Sequence, residues 1–303
     1  MTRHGLIGLL GLLVIACGGD RPAPEVAGGP NSASIPQRPR DADERAVQLV
    51  GAKVRATLFM DRLSGHRLGD ELVAQEQVRR VFAGTGIDPR RDADRVFVAA
   101  RSLQNQVDVA VLVEHHAPPD KVEAALVARA EKGGRVDRGD PFWTAEFDAD
   151  NRRTVAAVLS PTLLLFTSPK YKAAIASFEG TGGLPRRRGH KMALVSVAED
   201  PATTLRVRKR PRIPPTLKEL TTQIALTPDG GALLLFLGDS GSDAQAAADA
   251  KFLSREIEDL VTPKVLIFRV KTIDPIVFMS AGPKNTATRV VKPKVVDLIL
   301  SFA

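Results

Sequence analysis

Arg95-Val96-Phe97-Val98-Ala99 followed by Val107-Asp108-Val109-Ala110-Val111-Leu112-Val113 is the stretch that decides the fold. Valine at every other position from 107 to 113 is the period-2 signature of a strand, and the first run is short, apolar and β-branched. Pro118-Pro119-Asp120 then opens a helix that sets Val122, Ala125 and Leu126 on one face and ends at Gly133-Gly134. Asp120 suits its cap or first turn. Two strands leading into one amphipathic helix form a ββα module, and the same order recurs along the chain.

The second module runs Val155–Leu159, a Ser160-Pro161-Thr162 turn, Leu163–Phe166, and a helix carrying Tyr171, Ala174, Ile175 and Phe178 at i, i+3, i+4 and i+7. In the third, Thr227-Pro228-Asp229-Gly230-Gly231 joins Gln223–Leu226 to Ala232–Leu237, and a helix after Ser242-Asp243 bears Leu253, Ile257, Leu260 and Val261. The fourth has Pro275–Ser280, about Ala287–Val291, and a C-terminal helix with Val295, Leu298, Ile299 and Phe302. Around them fit a strand at Lys53–Met60, a helix with Ala74, Val78, Val81 and Phe82 stopped by Gly84, and strands at Phe142–Phe147, Lys191–Val197 and Val265–Val270. The expected class is α+β: antiparallel sheets with helices packed on one face, four modules in two similar halves. The halves are 44–185 and 186–303, divided where Gly182-Gly183, Pro185 and Arg186-Arg187-Arg188 cluster. The arrangement loosely resembles tandem split-β-α-β, ferredoxin-like repeats.

The chain's start carries a different message. Arg3 and His4 precede Gly5–Ile15, an apolar run of eleven residues. Crossing a bilayer takes about 20 residues, so this run is too short to span and has the make-up of a secretory signal. Val14-Ile15-Ala16-Cys17 resembles the lipobox of bacterial lipoproteins, usually Leu-Ala/Ser-Gly/Ala-Cys, with Val14 where Leu is commoner. The resemblance implies a signal peptide over 1–16, cleavage before Cys17, a diacylglyceryl thioether on its sulfur and an acylated amino group. Gly18 stands where these proteins carry the Asp that retains them at the inner membrane; the resemblance therefore implies the periplasmic face of the outer membrane. Residues 17–43, with Pro22, Pro24, Gly28-Gly29-Pro30, Pro36 and Pro39, bury too little apolar surface to fold. They form a tether of very roughly 25–30 Å as a coil.

Composition bounds the rest. Of 303 residues 44% are hydrophobic and 26% charged, an ordinary globular balance. Aromatics are only 5%, which argues against base-stacking platforms and ring-lined carbohydrate clefts. Cys17 is the single cysteine, so no disulfide supports the body.

Several stretches imitate functional motifs. Gly238-Asp239-Ser240-Gly241 resembles the nucleophile segment of chymotrypsin-like proteases, but the family's histidine segment is absent and a helix follows at once; a turn capped by Ser242 or Asp243 explains it. In Glu114-His115-His116 adjacent side chains on a strand point to opposite faces, so the two histidines cannot readily share a metal, and the stretch reads as an exposed strand end. Asp70-Glu71, Asp92/Asp94 and Asp137/Asp140 sit in loops or helix starts. Gly84-Thr85-Gly86 and Gly180-Thr181-Gly182-Gly183 follow helices and lack the Gly-Lys-Ser/Thr ending of a phosphate loop; no cofactor is expected. Two basic runs, Arg186-Arg187-Arg188-Gly189-His190-Lys191 and Arg206-Val207-Arg208-Lys209-Arg210-Pro211-Arg212, create a local positive field, with Arg186, Arg187, Arg188, Arg206, Arg208, Lys209 and Arg210 as its candidate binding residues. Export and a lipid anchor point that field at anionic envelope components (phospholipid headgroups, lipopolysaccharide, peptidoglycan) and away from nucleic acid. The expected function is a lipid-anchored envelope protein with a non-catalytic binding or structural role; the alternative is an envelope hydrolase.

Overall fold

The computed structural model describes residues 41–74, 76–104, 107–149, 152–185, 192–205, 212–227, 232–261, 264–265, 268–269, 278–281 and 284–291. The leader, Cys17, most of the tether, the first basic run and the second up to Pro211 lie outside these residues, as do the Thr227–Gly231 turn beyond Thr227 and the expected C-terminal helix.

Helix α1 (Ala42–Val50) opens the body. It was not expected from the sequence, and it starts two residues inside the segment read as tether. Asp43 and Glu44 lie in its first turn, where carboxylates complement the helix dipole. Ala42, Ala46 and Val50 form its buried stripe. Gly51 closes it at φ 58°, its N–H bonded back to carbonyls of the last turn, a conformation an L side chain resists. Strand β1 (Val54–Phe59) follows. The single helix expected around Val78 is three short ones: α2 (Met60–Leu63), α3 (Arg67–Ala74) and α4 (Glu76–Phe82).

The decisive stretch forms β2 (Ala93–Ala100) and β3 (Val109–His115), followed by helix α5 (Pro119–Ala130). Short β4 (Arg135–Asp137) precedes β5 (Trp143–Ala149), β6 (Arg152–Ser160) and β7 (Leu163–Thr167). The second half contains β8 (Met192–Glu199), α6 (Pro201–Thr204), β9 (Glu219–Leu226), β10 (Ala232–Asp239) and α7 (Asp243–Val261). After them come β11 (Lys264–Val265), β12 (Phe268–Arg269), β13 (Phe278–Ala281) and β14 (Lys284–Val291).

Twelve of these strands make one antiparallel sheet in the order β13-β14-β10-β9-β8-β1-β2-β3-β7-β6-β5-β4, with β11 and β12 paired apart. The two halves therefore share a sheet instead of owning one each. Their seam is the β1–β8 pair, where Val54 lies opposite Ala198 and Leu58 opposite Leu194.

Helices cover both faces of the first half, which corrects the one-face expectation. Val96, Val113, Ala156 and Leu164 pack with side chains of α2 to α5 in one core. Phe97, Ala110, Leu112, Val155 and Leu165 pack in a second core with α1 and with Ile175 and Phe178. The cause is visible in β7, whose five residues are all buried. A strand with apolar side chains at consecutive positions presents hydrocarbon to both sides and is stable only between two layers.

A second correction concerns residues 169–178. The i, i+3, i+4, i+7 spacing predicts an α-helix, whereas Pro169–Phe178 is a 3₁₀ helix. Three residues per turn align Ile175 with Phe178, which are buried, and turn Ala174 out to solvent.

Candidate functional site

The α5 side of the sheet contains a cavity of about 290 Å³ where β3, β7, β6 and β5 pass under the first turn of α5. His115 enters it from the end of β3 and Trp143 from the start of β5; Val122, Val158 and Leu164 give it hydrocarbon walls, and Glu123 stands at its rim. The pleat explains the placement. His115 continues the Val111, Val113 row and so shares their face, and Trp143 pairs opposite Val158, which pairs opposite Leu164.

His115 is 2% exposed, and its Nδ1 has no hydrogen-bond partner. The ring donates toward the Ala117 carbonyl, and burial holds its pKa below the ordinary 6.5, so the imidazole is neutral. With Nδ1 unpartnered, the proton belongs on Nε2 and Nδ1 is a bare acceptor. Trp143 Nε1 is likewise buried without a partner. Arg138 lies over the Trp143 ring at 6.0 Å and pairs with Glu123 at 2.7 Å, joining the β4–β5 connection to α5. The cavity thus has mostly apolar walls, and the unpartnered nitrogens of His115 and Trp143 lie buried beneath its surface. The histidine is oriented by a backbone carbonyl, not by a carboxylate, which suits hydrogen bonding better than proton abstraction.

His116 occupies the opposite side of the strand from His115, as the alternation requires, and bonds Asp94 at 3.0 Å through Nδ1. Glu114 pairs with buried Arg95, whose Nη1 also donates to the Pro185 carbonyl at 2.6 Å. Among the described residues, no three His, Cys, Asp or Glu side chains come together as a metal-binding group. Of the acidic residues singled out, Asp70 pairs with Arg90, Asp92 with Arg91 and the Asp88 N–H, and Asp137 with Lys172. The Arg91 hydrogen bond draws Asp92 below the usual carboxylate range. Asp108 carried no role in the sequence. It is 7% exposed and accepts from Lys170 and from Tyr171 Oη, and the lysine holds its pKa low. That tie fastens the 3₁₀ helix to the start of β3.

Gly238 and Asp239 end β10, and Gly241 turns at φ 80° with its N–H on Asp239 Oδ1 (2.9 Å). The Gln245 N–H donates to Ser242 Oγ at 3.4 Å, the cap expected at the start of α7. Cys17, Arg186, Arg187, Arg188, Arg206, Arg208, Lys209 and Arg210 lie outside the described residues. Arg212, the last residue of the second basic run, is committed to Glu256 at 2.7 Å.

No family model and no curated protein sequence matches the chain. Among solved structures it is similar to the structure of crystal form I of TP0453, at a TM-score of 0.50 and 9% identity, over 84% of this chain and 96% of that one. At that identity the likeness concerns the fold alone.

Proposed function

We propose that this is a lipid-anchored bacterial envelope protein whose body binds a ligand without transforming it. The observation that carries the binding reading is the cavity lined by His115, Trp143, Val122, Val158 and Leu164. Support for the anchor comes from Val14-Ile15-Ala16-Cys17 and the Pro/Gly-rich segment after it. No helix among the described residues is long and apolar enough to cross a membrane. Three acyl chains would suffice for stable attachment, since each buried CH₂ contributes about 0.8 kcal/mol. Gly18 after the cysteine favours the periplasmic face of the outer membrane.

The seven cations Arg186, Arg187, Arg188, Arg206, Arg208, Lys209 and Arg210 form the surface for anionic envelope components. The described residues beside them are tied down: Pro185 by Arg95, and the end of the second run by Arg212 on Glu256. We also read the body as two related halves built of ββα modules. Outward from the seam the order is β1-β2-β3-β7-β6 on one side and β8-β9-β10-β14-β13 on the other. Helices α5 and α7 follow the third strand of each.

Labelled palmitate tests the anchor: the wild type incorporates it and Cys17→Ala does not, and labelling of both refutes the reading. In the same preparations, changing the seven cations to Ser weakens retention of the anchor-less body on anionic vesicles; unchanged retention removes that surface.

A further inference from the structure

We infer that residues 293–302 dock on the α1 side of the second half of the sheet, across β14 and β10, as Pro169–Phe178 docks on the first half. The docking rests on the reading of the body as two related halves. Pro169-Lys170-Tyr171-Lys172-Ala173-Ala174-Ile175-Ala176-Ser177-Phe178 and Pro293-Lys294-Val295-Val296-Asp297-Leu298-Ile299-Leu300-Ser301-Phe302 align without a gap. Proline, lysine, isoleucine, serine and phenylalanine recur at the same five of the ten places. Between two arbitrary stretches such a match would carry little; position gives it weight. Each copy starts two residues beyond the end of a strand, β7 in one case and β14 in the other. Both strands stand fourth outward from the β1–β8 seam. In the first copy Ile175 and Phe178, two of the repeated residues, are the ones buried against the sheet.

The second half has a surface for the second copy. Strand β10 is apolar at five consecutive positions, Leu233-Leu234-Leu235-Phe236-Leu237, the feature that in β7 marks a strand lying between two layers. One layer is on the α5 side: Ile224 packs with the α2–α5 core, and Phe236 and Ile213 pack against a core that includes Ala198 and Leu220. Thr216 ties that side to α7 through Asp249 at 2.7 Å. The pleat turns Leu233, Leu235 and Leu237 to the opposite side. Val195 lies in line with Leu235 through Gln223, and Val197 in line with Leu237 through Thr221. These five are half-buried and belong to none of the hydrophobic cores among the described residues. Helix α1 covers this side of β2 and β3, but no described helix lies between Phe178 and β8 to do the same for β9 and β10. Ten residues of 3₁₀ helix span about 20 Å at about 2.0 Å each. That is the width of about four strands, so a segment leaving β14 reaches over β10 and β9.

Cys17 is the chain's only cysteine, so the full chain carrying Cys17→Ala accepts a single reporter thiol. In it, Leu235→Cys is expected to react slowly with a maleimide, and adding Ile299→Ser and Phe302→Ser should raise that rate at least about tenfold. Phe236→Cys, the next residue of the same strand and on the α7 side, should react at a rate those two changes leave alone. If Leu235→Cys does not fold, Leu233→Cys reports on the same side. A rate at Leu235→Cys that Ile299→Ser and Phe302→Ser do not change overturns the docking, and leaves the related-halves reading on its strand order. Equal acceleration at both reporters overturns the docking too, because the two changes would then loosen the whole sheet instead of uncovering one side of it.

Discussion

At the scale of single residues, His115 sets the behaviour of the site. Buried and lacking an acid to pair with, it is neutral when folded, whereas in the unfolded chain it takes up a proton near its ordinary pKa of 6.5. Its folded pKa is lowered, so below that pH the unfolded state binds more protons and stability falls as the medium is acidified. Asp94 and Asp92 oppose the shift and His116 adds to it. One proton's difference has a limiting slope of about 1.4 kcal/mol per pH unit. Chemical denaturation between pH 7 and 5 should therefore show the wild type losing more stability than His115→Phe; parallel curves would refute this. His115 extends the Val109, Val111, Val113 alternation, yet Glu114-His115-His116 reads in the sequence as an exposed strand end, and the structure buries His115 instead. That it lines one cavity with Trp143 is not legible, because β5 reaches β3 only through β6 and β7, and no local pattern encodes that order.

Among the elements, the strands were read best, because period 2 survives in any sheet with distinct faces. What the alternation did not reveal was the number of layers. The signal lay in β7: Leu163-Leu164-Leu165-Phe166 is apolar throughout, and only a strand covered on both sides is buried throughout. Residues 169–178 failed differently. A spacing of 3 and 4 fits an α-helix, but Ile175 and Phe178 alone satisfy a period of three, and the tie from Asp108 to Lys170 and Tyr171 holds the segment's start against β3. Ile175→Ala should cost about 2–4 kcal/mol in urea unfolding, while Ala174→Ser, on the exposed side, should cost less than about 0.5 kcal/mol. An α-helix would make both changes costly, so equal losses would count against the 3₁₀ assignment. The turn at Ser240, by contrast, was fully legible, since a Gly-Asp-Ser-Gly stretch ahead of an amphipathic helix needs only a cap.

For the molecule as a whole, the unit is a single sheet in which β1 and β8 are central, and the sequence-based division into halves runs between strands that are hydrogen-bonded neighbours only through that seam. A fragment ending at residue 185 would leave β1 as a bare edge offering unpaired backbone groups along Val54–Phe59. Such a fragment should self-associate by light scattering under conditions where the full body stays monodisperse; a monomeric, folded fragment would refute the seam's importance.

The seam also orders events in time. On one side Val54 meets Ala100, and on the other it meets Ala198. The first partner emerges soon after β1 during synthesis, the second only once nearly two-thirds of the chain exists. Long-range pairing of this kind is slow because a large loop must close before any contact rewards it. For that interval the nascent chain presents a half-finished ribbon whose open rim is the very strand that later becomes the interior of the sheet. Protection of that rim before residues 192–199 arrive is thus a task for whatever receives the growing chain, and a defect there would be felt as lost yield, not as an altered native structure.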